Sequence, residues 1–333
     1  MAVLETMPSK SLLPYFMKND DVRVNTFDSQ AKGSYLYCRN KIMAITTLKN
    51  KKCFITGAAS GIGRAVAIAA AAEGANLFLT DINENLLADV VALIRENGGI
   101  VSLFKAIDIS EFEEVKIFTQ DIHHQFGSMD IVMNIAGISI WGSISNLTHL
   151  DWKRTIDVNL MGPIHVLECL IPSMINAEHG GQIVNVSSAA GLFALPWHAA
   201  YSASKFGLRG ISEVLRYDLK QYGIGVSLVC PGAVDTGLVN TVEIRGVNKD
   251  DPDVIALRQH FQKRAVTPEK AAAAIIKGIK QNQFMIFTST DIEIGYWFQR
   301  KFSLPYRLVM QLLNNKIHAI ADKSKNSTMI KKI

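Results

Sequence analysis

Seven short apolar runs separated by longer helical stretches predict an α/β protein built on a doubly wound, mostly parallel sheet of seven strands. Two features of the runs support this. They are near-continuous rather than alternating, as strands covered on both faces are. The stretches between them hold helices long enough for right-handed parallel crossovers.

The elements follow in order. Cys53-Phe54-Ile55 is a short strand ending at the turn Thr56-Gly57, and Ile62 to Glu73 is an Ala-rich helix. Asn76 to Thr80 is a second strand, and Glu84 to Asn97 a helix stopped by Gly98-Gly99. Val101 to Lys105 is a third strand, followed by a helix from Glu111 to Phe126 closed by Gly127. Ile131 to Asn134 is the fourth, and one long helical stretch covers Leu150 to Ala177. Gln182 to Val186 is the fifth, and Ala199 to Tyr222 a helix closed by Gly223. Val226 to Val229 is the sixth, stopped by Pro231-Gly232. Thr267-Pro268-Glu269 opens a helix to Ile279, with proline at its first position. Phe284 to Phe287 is the seventh strand.

The 333 residues suit one α/β domain with appendages, and no composition break demands a second core. With 48% hydrophobic and 20% charged residues, a disordered, collagen-like or coiled-coil chain is excluded. No run of about 18 apolar residues suggests a membrane-spanning helix. Cys38, Cys53, Cys169 and Cys230 stand far apart with no Cys-x-x-Cys pair. No zinc site, other metal site or disulfide framework is expected, and a reducing, cytoplasmic setting fits. The net charge of +5 is concentrated in the two ends of the chain, so a nucleic-acid-binding body is not expected. Pro8 and Pro14 interrupt the N-terminal stretch, which lacks the pattern of a secretory leader. Met43 stands just before the first strand and offers an alternative start of translation.

Thr56-Gly57-Ala58-Ala59-Ser60-Gly61-Ile62-Gly63 joins the first strand to the first helix. Glycines there let the backbone turn tightly and approach a pyrophosphate, and the helix N-terminus offers N–H groups to that anion. Asp81 ends the second strand, where a carboxylate accepts from adenosine ribose hydroxyls and repels a 2′-phosphate. No Lys or Arg lies between Gly57 and Gly63, and Ile82 follows Asp81, so NAD is favoured over NADP. A turn or capping role for Asp81 before Asn83 is the alternative.

Tyr201-Ser202-Ala203-Ser204-Lys205 opens a helix, so the phenol and the ammonium project from one face. A cation beside a phenol stabilises the phenolate and lowers its pKa from about 10, which suits a base for an alcohol proton. Ser187 and Ser188 end the fifth strand, at the carboxyl edge where ligands of such sheets bind.

These motifs in this order resemble the short-chain dehydrogenase/reductase family, in its single-domain branch with a Rossmann-type sheet. The resemblance covers residues 50 to 290. It implies a catalytic domain over 51–290, an N-terminal extension over 1–50 and an amphipathic C-terminal extension over 291–333. Asn134-Ile135-Ala136-Gly137 is similar to the family's Asn-Asn-Ala-Gly motif, with the second position changed. The resemblance implies a catalytic set of Asn159, Ser188, Tyr201 and Lys205. It implies cofactor contacts from Gly57, Ser60, Gly61, Ile62, Gly63, Asp81, Asp108, Ile109, Asn134, Ala136 and Gly137. Tyr201, Lys205, Pro231, Gly232, Val234 and Thr236 complete the cofactor set. The reaction it implies is hydride transfer between a secondary alcohol or ketone and a nicotinamide, with Tyr201 as general acid/base. A homodimer or homotetramer is the usual assembly.

Outside the motifs, Ile138 to Trp141, Leu192 to Trp197 and a lid over Gly237 to Val266 are mostly apolar, which suits a hydrophobic substrate. His198 is expected to line the cleft or the surface, and His123-His124 to be solvated on a polar helix. The sequon Asn185-Val186-Ser187 falls on a buried strand and is not a glycosylation site. Ile292 to Leu313 is amphipathic, aromatic and basic, able to pack over the substrate cleft, to pack against a neighbouring subunit or to lie in a membrane interface. A non-catalytic NAD-binding sensor or scaffold is the alternative function, and retention of all four catalytic-type residues argues against it.

Overall fold

The computed structural model describes residues 45–236, 243–248, 251–262 and 265–330. The N-terminal extension to residue 44, with Cys38 and Met43, lies outside the described residues, as do Leu238, Val239, Val242, Lys249 and Asp250 of the expected lid.

The seven expected strands are present. They are β1 (Lys52–Thr56), β2 (Asn76–Asp81), β3 (Ile100–Ala106), β4 (Ile131–Asn134), β6 (Gly181–Val186), β7 (Ile224–Cys230) and β9 (Met285–Phe287). They form one sheet in the order β3-β2-β1-β4-β6-β7-β9, with every pairing parallel. The order reverses between β1 and β4, which opens a crevice at the carboxyl ends of those strands. Strands β4, β6 and β7 are buried along their whole length, whereas β3, at the sheet edge, is half exposed.

Helices cover both faces. On one side α1 (Gly61–Ala72), α2 (Glu84–Glu96) and α8 (Pro268–Lys280) bury Val66, Ala70, Val90, Ile94, Ile275 and Ile279 against the sheet. The alanines of α1 let α8 lie close against it. On the other side α3 (Phe112–Phe126), α5 (Gly162–Asn176) and α6 (Ala199–Asp218) enclose Phe118, Ile122, Val166, Leu170 and Met174. Fully buried Phe54, Phe78 and Phe118 each contribute about 2–3 kcal/mol of transfer free energy. Local chemistry sets several helix starts: Asn83 caps α2, Thr267 caps α8, and Thr148 with Asp151 forms a capping box on α4 (His149–Ile156).

The structure departs from the expectations in three places. The stretch expected as one helix over 150–177 is interrupted by a π-helical turn, Asp157–Met161, between α4 and α5. Gly162 N–H reaches back five residues to Asp157 C=O, and Pro163 has no N–H to return the ladder to its normal register at Asn159. By length and composition His149–Asn176 could cross a bilayer, but α5 buries Val166, Leu170 and Met174 in the core. A second, two-stranded parallel sheet pairs β5 (Ile140–Gly142) with β8 (Glu243–Arg245), and α7 (Pro252–Gln262) follows. Such three-residue strands carry no periodicity to read. The C-terminal segment forms two helices, α9 (Thr290–Lys301) and α10 (Ser303–Ile330). Among the described residues Cys53, Cys169 and Cys230 are free thiols.

Candidate active site

The glycine loop after β1 shows why only glycine fits. Gly57 has φ +69°, and a Cβ there would lie 2.8 Å from Ala136 backbone atoms. A Cβ on Gly63 would lie 2.0 Å from Gly57 O, so α1 starts in direct contact with the turn. Ser60, at the N-cap of α1, makes no side-chain bond to the first-turn amides, leaving a helix N-terminus open to an anion. Across from it stands Thr236, 3.1 Å from where a Cβ of Gly61 would be. Thr56 is buried and its hydroxyl accepts from Ile135 N–H (3.0 Å) and Ala136 N–H (3.1 Å), tying the two loops together. Ile62 packs half-buried at the edge of the core.

Asp81 lies at the crevice rim with both oxygens engaged by backbone. One accepts from Ala59 N–H in the glycine loop and the other from Asn83 N–H, each at 3.0 Å. The turn role leaves room for a cofactor role, since each oxygen keeps a lone pair. Asp108 follows β3, where its carboxylate accepts from the N–H and hydroxyl of Ser110. Ile109 is buried and its C=O lies 3.0 Å from His165 Nδ1.

Asn134 ends β4 and donates to Asn185 Oδ1 at 2.9 Å; Asn185 in turn donates to Ser212. Asn134 Oδ1 is buried with no protein partner. Asn185 was legible only as a false sequon, and its buried position on β6 bears out that reading. Its bond to Asn134 carried no sequence signal.

The four tetrad residues come together beyond β4 and β6. Asn159 is fully buried on the π-helical turn, where the widened register lets its amide clamp Ile138. It accepts from Ile138 N–H (2.8 Å), donates to Ile138 C=O (2.9 Å) and donates to Ser204 Oγ (3.2 Å). Ser204 donates to Tyr201 C=O at 2.7 Å, so Asn159 is joined to the start of α6. Gly137 passes between them: a Cβ there would lie 3.0 Å from Asn159 Oδ1 and 3.4 Å from Lys205 Nζ. Ser188 accepts from Ala190 N–H, and its hydroxyl lies near enough to Tyr201 to lower the phenol pKa. Ser187 points away, donating to Lys205 C=O at 2.9 Å.

Lys205 is buried, donates to Val186 C=O at 3.0 Å, and holds its ammonium 5.8 Å from the Tyr201 ring centroid. Burial pulls the Lys205 pKa down to about 8. Burial also pushes the Tyr201 phenol up, and the nearby Ser188 hydroxyl only partly offsets this. This corrects the expectation of a phenol depressed by its lysine neighbour. Both groups are withdrawn from water, and the ammonium is spent on a carbonyl.

The remaining clasp residues lie beyond β7. Pro231 C=O accepts from Ala189 N–H at 2.7 Å, Gly232 lies against Ile292 of α9, and buried Val234 bridges to Val266 and accepts from Thr236 N–H. His198 sits beside Tyr201, its ring tilted against Trp141 at 4.3 Å between centroids, with Nδ1 2.7 Å from Pro196 C=O. Because a carbonyl only accepts, Nδ1 carries the proton. Burial lowers the His198 pKa to about 4, so the ring is neutral at physiological pH. His123 is not simply solvated: it is half-buried, with Nε2 3.1 Å from Cys169 C=O on α5.

The family model described as short chain dehydrogenase matches residues 51–245. The chain belongs to the short-chain dehydrogenase family. A CLA biosynthesis dehydrogenase/reductase of Lactiplantibacillus plantarum is 33% identical over 256 residues, 73% of this chain and 89% of that protein. A Mycobacterium tuberculosis protein named "Probable oxidoreductase EphD" is 34% identical across 69% of this chain, which spans only 39% of that longer relative. A Burkholderia phymatum short-chain dehydrogenase/reductase solved with NAD superposes with TM-score 0.68 at 28% identity, over 76% of this chain and 94% of that one. A metagenomic short-chain oxidoreductase solved with NADP gives TM-score 0.58 at 28% identity, over 72% and 96% of the two chains. The protein is thus an NAD(P)-dependent oxidoreductase of this family. The glycine cradle that a Cβ would fill, the open N-terminus of α1 and the unpaired Asn134 Oδ1 all fit a dinucleotide lying across the crevice.

Proposed function

We propose that the protein uses NAD to interconvert an apolar secondary alcohol and its ketone, with Tyr201 as general acid/base. The observation that carries this reading is the Lys205 ammonium held 5.8 Å from the Tyr201 ring centroid, with the Ser188 hydroxyl near enough to pull the phenol pKa down. Gly57, Ser60, Gly61, Ile62 and Gly63 would hold the pyrophosphate. Asp81, Asp108, Ile109, Asn134, Ala136 and Gly137 would line the adenosine half, and Pro231, Gly232, Val234 and Thr236 the nicotinamide half. When bound, the nicotinamide supplies the hydride-accepting carbon. Tyr201 takes the hydroxyl proton of the alcohol, and Ser188 donates to the substrate oxygen and holds it in line. Lys205 binds ribose hydroxyls, and its charge then stabilises the phenolate. Asn159 holds a water that links Lys205 to solvent.

Asp81 supports NAD, because its fixed carboxylate sits where a 2′-phosphate would bring like charge. Leu192, Phe193 and Trp197, on the apolar loop between Ser188 and Tyr201, support an apolar substrate. Exposed Met161, Phe206, Val214 and Tyr217, on the helices that carry Asn159 and Tyr201, support a homodimer or homotetramer. The free thiols of Cys53, Cys169 and Cys230, two of them buried, suit a cytoplasmic position. The test is reduction of NAD and of NADP with secondary alcohols graded from short-chain to steroid-sized. Turnover with NAD that grows with apolar size is expected. Turnover with NADP alone, or with small polar alcohols alone, would overturn the cofactor or the substrate assignment.

A further inference from the structure

We propose that α9 and α10 form a docking face for an anionic membrane surface. Helix α10 is apolar on two opposite sides. Tyr306, Met310, Leu313, Ile317 and Ala321 turn inward, while Leu304, Leu308 and Leu312 follow one another at i, i+4 spacing on the outer side and are 57–69% exposed. A helix apolar on its outer side lacks a partner in water. On α9, Ile294, Trp297 and Phe298 repeat this pattern at i, i+3, i+4. Phe302, between the helices, meets Phe298 at 5.0 Å and Trp297 at 6.0 Å, so three aromatic rings cluster in the open at 39–57% exposure.

Charge selects the occupant. Residues 294–321 contain no Asp or Glu, and Arg300, Lys301, Arg307 and Lys316 all stand exposed among the apolar groups. A second copy docking through the same face about a two-fold axis would set this all-basic patch against itself, with no carboxylate inside it to pair. An anionic bilayer supplies the missing charge, and its interface accepts Trp, Phe and Leu together with Lys and Arg. Arg300 also lines a groove of about 550 Å³ with Arg209, Glu213 and Arg216; Glu213 pairs with Arg209, and Arg216 extends the cationic surface toward α6. The face is rigidly joined to the cleft wall. Tyr306 OH accepts from Ala194 N–H at 2.9 Å, and His318 meets Trp197 edge-on at 5.5 Å, both on the loop between Ser188 and Tyr201. Docking would therefore bring that wall to the bilayer, where an apolar alcohol partitions.

The test is co-sedimentation of the full chain, without substrate, with vesicles of phosphatidylcholine alone or with about one third phosphatidylserine. Because no turnover is read, failure here leaves the proposed reaction untouched. Binding to the anionic vesicles, lost in high salt and weakened about tenfold or more in Lys301→Gln/Arg307→Gln/Lys316→Gln, is expected. All three side chains are exposed, so the variant folds. Brominated acyl chains are expected to quench wild-type fluorescence and to quench Trp297→Phe less. Recovery in the supernatant with both vesicle types would overturn the proposal. So would a dimer that dissociates in Leu308→Ser/Leu312→Ser while vesicle binding is absent, since that outcome assigns the face to a second copy.

Discussion

At the scale of single residues, the site holds polar groups at a cost to stability. Lys205 has its pKa lowered from 10.5 to about 8 by burial, so the unfolded chain binds that proton more tightly. The penalty is complete below pH 8 and fades as pH rises toward 10.5. Lys205→Met is expected to abolish turnover yet stabilise the fold at pH 7 by about 1–3 kcal/mol, less the lost bond to Val186 C=O. Urea unfolding at pH 7 and pH 10.5 checks it, with the difference shrinking at the higher pH. His198 is held neutral with its pKa lowered from 6.5 to about 4. Stability is therefore present above pH 6.5 and lost as pH falls toward 4. His198→Phe keeps the ring contact with Trp141, and its melting temperature is expected to fall less over that range than the wild type's. Residue identity and order made the tetrad and the glycine loop legible in the sequence. The direction of the Tyr201 shift was not, because it depends on where Lys205 spends its hydrogen bonds and on how much water reaches the pair.

At the scale of elements, short polar networks place what periodicity does not reveal. Arg245 of β8 bonds Asp151 at 2.7 and 3.0 Å, and Asp151 also forms the Thr148 capping box on α4. Burial would raise the Asp151 pKa, but the bonds from Arg245 and Thr148 win and bring it to about 2. This stabilisation is present above pH 3.8 and lost as pH falls toward 2. Arg245→Met is expected to cost about 1–3 kcal/mol at pH 7 and to speed amide exchange in β5 and β8. Unchanged exchange would mean that the two-stranded sheet is held by other contacts. Core strands and crossover helices were readable because burial writes them as apolar runs. The π-helical turn was hidden inside a continuous apolar pattern, with Pro163 as its one local clue. The partner of Asn134 was equally hidden, since it lies 51 residues away on another strand.

At the scale of the whole molecule, the parallel sheet brings loops distant in sequence to one edge, and the last helix packs on the loop between Ser188 and Tyr201. Deleting residues 303–333 removes Tyr306 from Ala194 and His318 from Trp197. The truncated protein is expected to keep NAD binding and to show a several-fold higher KM for large apolar alcohols, with KM for small ones little changed. An equal rise for all sizes would assign α10 a purely structural role. Composition predicted an amphipathic C-terminal segment, but its division into two helices with one face inward and one outward depends on which surface of the body it meets.

The most direct test of the whole account compares wild type and Tyr201→Phe for reduced-nicotinamide formation from NAD and a secondary alcohol across the neutral to alkaline range. The account predicts wild-type turnover that rises with pH as the phenol loses its proton. It predicts that Tyr201→Phe binds NAD normally and turns over at least a hundredfold more slowly, at a level independent of pH, which is about the contribution of one acid/base group. Turnover of Tyr201→Phe at the wild-type rate would contradict it.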